Sequence, residues 1–170
     1  MTTPPASLGW SSPRCSDRAN YRRGGVDRIL VPAPWTRTIE ELCADGIRGD
    51  VYPHEQVQLP QGGSGGFLDQ LRDAAVPPYE EHGWVLVGAW KTAMTSESEC
   101  ILLWAIPTWD RWASLERAER ADTPIRRWRR ASYEKTISSE RFLVVDSPLS
   151  PLRTGRQPSK SGRTDDWHDL

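Results

Sequence analysis

Two apolar runs constrain this chain more than anything else in it. "WVLVGAWKT" (Trp84–Thr92) and "ECILLWAIP" (Glu99–Pro107) are apolar at nearly every position. Branched and aromatic residues without clean alternation mark strands buried on both faces. The polar "AMTSES" between them suits a hairpin connection, so the runs predict a buried antiparallel pair. Strict alternation puts Trp84, Leu86, Gly88 and Trp90 on one face and Val85, Val87, Ala89 and Lys91 on the other.

The flanking patterns extend this pair in both directions. "DVYPHEQVQLP" (Asp50–Pro60) alternates, with Glu55, Val57 and Leu59 facing one way and His54, Gln56 and Gln58 the other. After the glycine-rich "QGGSGG", "FLDQLRDAAVPPYEEHG" (Phe67–Gly83) sets Leu68, Leu71, Ala75 and Tyr79 on one helical face. Pro77 and Pro78 interrupt its second half, and Gly83 is a natural stop. "TWDRWASLERAERAD" (Thr108–Asp122) predicts a helix capped by Thr108, with Trp109, Trp112 and Leu115 inward. A second segment opens at Asp122 or Thr123, has Pro124 at its start and continues the apolar face with Ile125 and Trp128. "SERFLVVDSP" (Ser139–Pro148) is the last strand. The order strand, helix, strand, strand, helix, strand is the βαββαβ ferredoxin-like arrangement, an α+β fold with two helices on one face of an antiparallel sheet. Its other sheet face carries large apolar side chains and calls for a partner, most economically a second copy packed sheet to sheet.

Composition bounds the rest. Hydrophobic residues are 37% of 170, with 13 Gly and 14 Pro, so part of the chain is expected to lie outside a packed core. Residues 1–49 read as a poorly structured extension, although "VDRILVPAPW" has the character of a short strand and "TRTIEELCADG" that of a short helix capped by Thr38. Residues 50–152 hold the domain and 153–170 a disordered polar tail. A net charge of −1 supplies no general attraction for nucleic acid or anionic membrane. No apolar run is long enough to span a bilayer and the N-terminus lacks a secretory pattern, which points to a soluble, cytoplasmic protein. Three cysteines without C-x-x-C spacing and three scattered histidines argue against disulfides and against a metal site. No P-loop is present, and no cofactor is implied.

The stretches "PPYEEHGWVLVGAW", "ECILLWAIPTWDRWASLERA" and "FLVVDSPLSPL" together resemble the NIPSNAP family, within the dimeric α/β-barrel superfamily. The resemblance spans Val51–Leu152. It rests on a helix ending in Tyr and His-Gly, a strand reading Gly-x-Trp, a second strand with Leu-Trp and an aromatic-rich helix opening. Of the first strand's usual Glu-Leu-Arg-x-Tyr character only Glu55 remains. The resemblance implies a ferredoxin-like subunit, a homodimer forming a barrel, and no particular reaction. Relatives in the wider superfamily are cofactor-free monooxygenases or isomerases of aromatic or polyketide-like compounds, which leaves enzyme and binding module both open.

Candidate site residues follow from these faces. His54, Gln56 and Gln58 would look into the sheet-to-sheet interior, where polar groups need partners or a ligand; on an exposed end they would simply be solvated. His82 could serve as a base with Glu81, Tyr79 or Glu55, but a histidine in the last turn also suits the helix dipole. Trp90 and Trp104 suit either interface packing or the lining of a pocket for a small apolar ligand. "RRWRR" (Arg126–Arg130) resembles a nucleic-acid patch, yet the acids before it favour a solvated helix face.

Overall fold

A computed structural model describes residue 25 and residues 27–157. Five antiparallel strands form one sheet: β1 (Leu30–Pro32), β2 (Tyr52–Gln58), β3 (Val85–Thr92), β4 (Glu99–Ala105) and β5 (Ser138–Val144), in the order β1-β3-β4-β2-β5. The last four carry the ferredoxin-like order, and β1 is added at the β3 edge. The sheet is open and not closed into a barrel. Short helices α1 (Ile39–Ala44), α2 (Ser64–Gln70) and α3 (Val76–Glu81) precede β3; α4 (Trp109–Glu119) and α5 (Pro124–Lys135) precede β5; α6 (Pro151–Thr154) follows it.

The helix between β2 and β3 is continuous in direction but not in hydrogen bonding. Pro77 has no N–H and its ring crowds the carbonyl four residues back, so the regular ladder cannot pass through it. A π-helical turn over Leu71–Ala75 absorbs the fault, closed by Val76 N–H donating to the Leu71 carbonyl. The register survives, and Leu68, Leu71, Ala75 and Tyr79 are all buried against the sheet. The end of α3 is a Schellman motif. Trp84 N–H donates to the Tyr79 carbonyl at 3.0 Å and Gly83 N–H to the Glu80 carbonyl at 2.8 Å, with Gly83 at φ +79°. The hydrophobic contact that accompanies such caps is here Tyr79 edge-on to Trp84, ring centroids 5.5 Å apart.

Four expectations from the sequence need correction. A bulge between Leu86 and Gly88 resets the alternation of β3. Trp84 and Leu86 therefore lie in the core beneath the helices, while Trp90, paired across from Ile101, lies on the opposite face with its ring over Gly88. Helix α4 turns a different stripe inward. Arg111, Ser114 and Leu115 meet the α3–β3 corner, which leaves Trp109 and Trp112 exposed and packed edge-on against each other. Thr108 is the N-cap residue of α4 but makes no side-chain cap bond, whereas Thr123 caps α5 by accepting from Arg126 N–H at 3.3 Å.

The fourth correction concerns the flanks. The segment up to residue 49 is not wholly unstructured: β1 pairs with β3, and α1 begins with a reciprocal capping box between Thr38 and Glu41. Nor is the chain after residue 152 simply a tail, because α6 runs to Thr154 and ends at Gly155 with φ +71°. Residues 1–24, 26 and 158–170 lie outside the described residues.

Helices α1 and α6 meet on the sheet face away from the other helices. Leu42 and Leu152 pack there with Tyr52, Val87 and Ala105, flanked by Ile39, Ile47 and Leu103. Arg48 Nη2 donates to the Arg153 carbonyl and Gln157 Nε2 to Glu40, so the two ends of the fold clasp each other. This cover sits at one end of the face. Beside it, along the β5 edge, Phe142 (48% exposed) and Val144 (43%), the partner of Tyr52 in the ladder, remain open to solvent. Among the described residues no helix is long and apolar enough to cross a membrane.

Leu152→Ala tests the clasp. Truncating this buried side chain should cost about 2 kcal/mol or more in urea unfolding, within the range for core leucines. It should also raise hydrogen exchange in α1 and α6 together.

Candidate functional site

The layer between the sheet and helices α2–α5 contains a cavity of about 40 Å³. Its walls are aromatic: Phe67, Tyr79, Trp104, Trp128 and Tyr133. Tyr79 stacks on Trp104, centroids 4.6 Å apart at 25°, and Phe67 is tilted against Trp128 at 5.8 Å. These contacts join helix to sheet and helix to helix, so the walls are set by the core itself.

Charges enter this apolar layer at four points. Arg129 lies on the inward side of α5, one turn beyond Ile125, and its Nε donates to the Tyr79 hydroxyl at 3.1 Å. Its Nη2 lies 2.6 Å from Glu119 Oε1, with both side chains more than four-fifths buried. That approach is a charge contact and not an aligned hydrogen bond, since neither atom has a well-directed partner among the described residues. On the sheet side, Arg141 of β5 donates to Glu55 Oε1 through Nε at 3.1 Å and Nη2 at 2.8 Å, as direct cross-strand neighbours. The Trp104 indole N–H is buried and has no partner among the described residues.

Burial raises the Glu119 pKa, only partly offset by the Arg129 charge. Burial likewise raises that of Tyr79. For Arg129, burial opposes the charge, but Tyr79 and Glu119 outweigh it and the pKa rises. Glu119 therefore binds its proton more tightly folded than unfolded. Its ionisation weakens the fold as pH rises from the unfolded carboxylate range through its raised folded value. Around the cavity Arg129 donates to the Tyr79 hydroxyl and Arg141 to Glu55, while Ser132, Thr136 and Ser139 add hydroxyls to its lining.

The residues singled out in the sequence fall in three separate places. Trp104 is in this cavity wall. His54, Gln56, Gln58 and Trp90 lie on the opposite, open sheet face, where His54 neighbours Phe142 (ring centroids 6.4 Å apart) and Gln58 bonds Ser98 at 3.2 Å. His82 stands at the α3 corner with Nδ1 2.9 Å from Ser114 Oγ. Among the described residues neither histidine meets an acid, and His54, His82 and Glu55 do not gather around one cavity. Sequence reasoning missed Arg129, Glu119 and Arg141. A signal for two of them was present: Glu119 follows Leu115 by four residues and Arg129 follows Ile125 by four, which places charges on the buried stripe of each helix.

The solved structures that this chain resembles share a single architecture. The fold is that of NIPSNAP-domain proteins. An uncharacterized NIPSNAP domain protein from Burkholderia xenovorans superposes with TM-score 0.51 at 15% identity, over 59% of this chain and 98% of its own. A NIPSNAP family protein from Agrobacterium tumefaciens gives 0.52 at 18%, over 61% and 98%. A second one from that organism, of unknown function, gives 0.53 at 19%, over 62% and 95%. At such identities the likeness is one of fold. No family model and no curated protein matches the chain. The NIPSNAP fold takes in nearly all of each of these relatives but only about three-fifths of this chain.

Tyr79→Phe isolates the hydroxyl, because the ring and its stack on Trp104 are kept. Loss of the Arg129 Nε acceptor in a buried setting should cost about 1–3 kcal/mol in urea unfolding. A cost within error of zero would mean that the bond contributes nothing.

Proposed function

We propose that this chain is a homodimeric module of the NIPSNAP fold, pairing sheet face to sheet face and holding a small apolar ligand between the copies. The observation that carries this reading is the strip left bare by the clasp. Rows across the sheet place Trp90 with Ile101, Gln56 and Glu140, and Leu103 with Gly88, His54 and Phe142. Apolar groups thus alternate with a few polar ones on a single open surface, as in an interface that also lines a pocket. A twofold axis through this strip brings two copies of Phe142 and Trp90 to a shared seam and buries what one copy leaves exposed. The clasp of α1 and α6 covers Tyr52, Val87 and Ala105 and leaves the β5 edge and the rows beyond it for the contact. For Cys100, burial pushes the thiol pKa up to about 12 and suits a packing role. The alternative of a cofactor-free enzyme in the barrel gains no support from the histidines, since His54 adjoins a phenyl ring and His82 a serine.

Sedimentation velocity over a concentration series tests the dimer. The wild type should sediment as a dimer, and Phe142→Glu should weaken association by about 30-fold or more, the loss of one interface anchor. A wild type that stays monomeric throughout the series contradicts the proposal.

A further inference from the structure

We infer that the outer edge of β5 is a strand-pairing surface for the β5 edge of a second copy, joined antiparallel about a twofold axis at Phe142. A strand edge carries a row of backbone N–H and C=O groups that call for a partner, and proteins blunt such edges with proline, lysine, bulges or a short strand. The two edges of this sheet differ in that respect. Strand β1 is three residues long and ends in Pro32. Strand β5 is seven residues long, contains neither proline nor lysine, and runs beside β2 in unbroken register from Ser138 to Val144. All seven residues are exposed, and among the described residues no strand lies outside it. Its charges guard it poorly, because Arg141 is drawn inward to Glu55. Apolar groups flank the edge on both sides: Phe142 and Val144 on the open face, and Leu143 (54% exposed) on the helix side, two residues beyond Arg141. The occupant of such an edge is an extended strand with apolar groups on both faces, and β5 itself has that form.

Self-pairing also selects a register. In a twofold antiparallel pair one residue lies opposite its own copy, and the remaining pairs are mirrored about it. Centring on Glu140 or Arg141 sets like charges directly opposite, which is destabilising. Centring on Leu143 sets Glu140 against the partner's Asp146, again two acids. Centres nearer either end leave most of the strand outside the ladder. Centring on Phe142 avoids all of these. The two Phe142 rings then meet on the open face, Arg141 lies opposite the partner's Leu143 on the helix side, and Glu140 lies opposite the partner's Val144. Two five-stranded sheets thereby become one continuous sheet. This contact uses the edge and the helix side of β5, whereas the proposed face-to-face contact uses the open face. It does not rest on that reading, and a chain that makes both contacts assembles into a tetramer.

Leu143 carries the test, because it lies opposite the partner's Arg141 and on the side of the sheet away from the face-to-face contact. Sedimentation velocity compares full-length wild type with Leu143→Glu and Leu143→Lys over one concentration series. The glutamate sets an acid opposite Arg141 and should keep the wild-type assembly. The lysine sets a second cation there and should weaken association by about tenfold or more relative to the glutamate variant, halving the number of copies. Hydrogen exchange on the wild type reads the edge itself, since alternate amides of β5 point outward. In a paired edge every amide from Ser139 to Val144 is slow at high concentration, and alternate ones become fast on dilution. Equal association of the two charge variants, or fast alternate amides in the concentrated wild type, overturns the proposal. A wild-type dimer that both variants keep leaves the face-to-face contact alone, whereas a dimer that only Leu143→Lys dissociates leaves the edge alone. The wild-type exchange pattern decides the matter even where a variant fails to fold.

Discussion

Tyr79 is the point through which the layers of this fold are joined. Its ring lies flat on Trp104 of the sheet and edge-on to Trp84 at the start of β3, while its hydroxyl takes the Arg129 N–H of α5. One side chain thus ties the end of α3 to two strands and a second helix. The backbone of the same residue accepts the Trp84 N–H that closes the helix. The corner, the aromatic wall and the position of the buried arginine all depend on this placement. The π-helical turn earlier in the element matters for the same reason: it accommodates two prolines without rotating Tyr79 off the core stripe.

The two sides of the sheet have been put to different uses. The helix-covered side encloses charges, and enclosing charges is costly unless they are paired and hydrogen-bonded. Here Arg129 is paired with Glu119 and bonded to the Tyr79 hydroxyl, and Arg141 is paired with Glu55. The other side is apolar and only partly covered. The clasp of α1 on α6 removes Tyr52, Val87 and Ala105 from solvent, so that end of the sheet is buried on both faces by one chain. The strands read as apolar on both sides for this reason, before any second copy is considered.

The sequence was legible wherever the structure obeys a local period. Leu68, Leu71, Ala75 and Tyr79 share the buried face that their spacing predicts, Thr38 caps α1, and Gly83 ends α3 in the left-handed conformation. The alternation of β2 is also correct: Glu55 and Val57 line the cavity while His54 lies beside Phe142. Legibility failed where one element's orientation depends on another. The bulge that turns Trp90 away from Leu86 is a property of pairing with β4, and Gly88 was its only trace in sequence. Trp109 and Trp112 look like a core stripe in isolation, but α4 docks through Arg111, Ser114 and Leu115 because the α3 corner presents polar groups to it. A single leucine after Pro151 gives no periodic signal, so α6 could not be anticipated. The charged cluster was obscured by its surroundings, as Arg129 sits in "RRWRR", where three neighbouring arginines suggest a solvated face.

The central claim is that Tyr79, Arg129 and Glu119 act as one buried unit. A double-mutant cycle between Tyr79→Phe and Glu119→Gln, read by urea unfolding, tests it most directly. Both substitutions act on Arg129 without touching each other's ring or chain. A coupled unit predicts an interaction energy of about 0.5 kcal/mol or more between them. Additive effects, within about 0.3 kcal/mol, would contradict it.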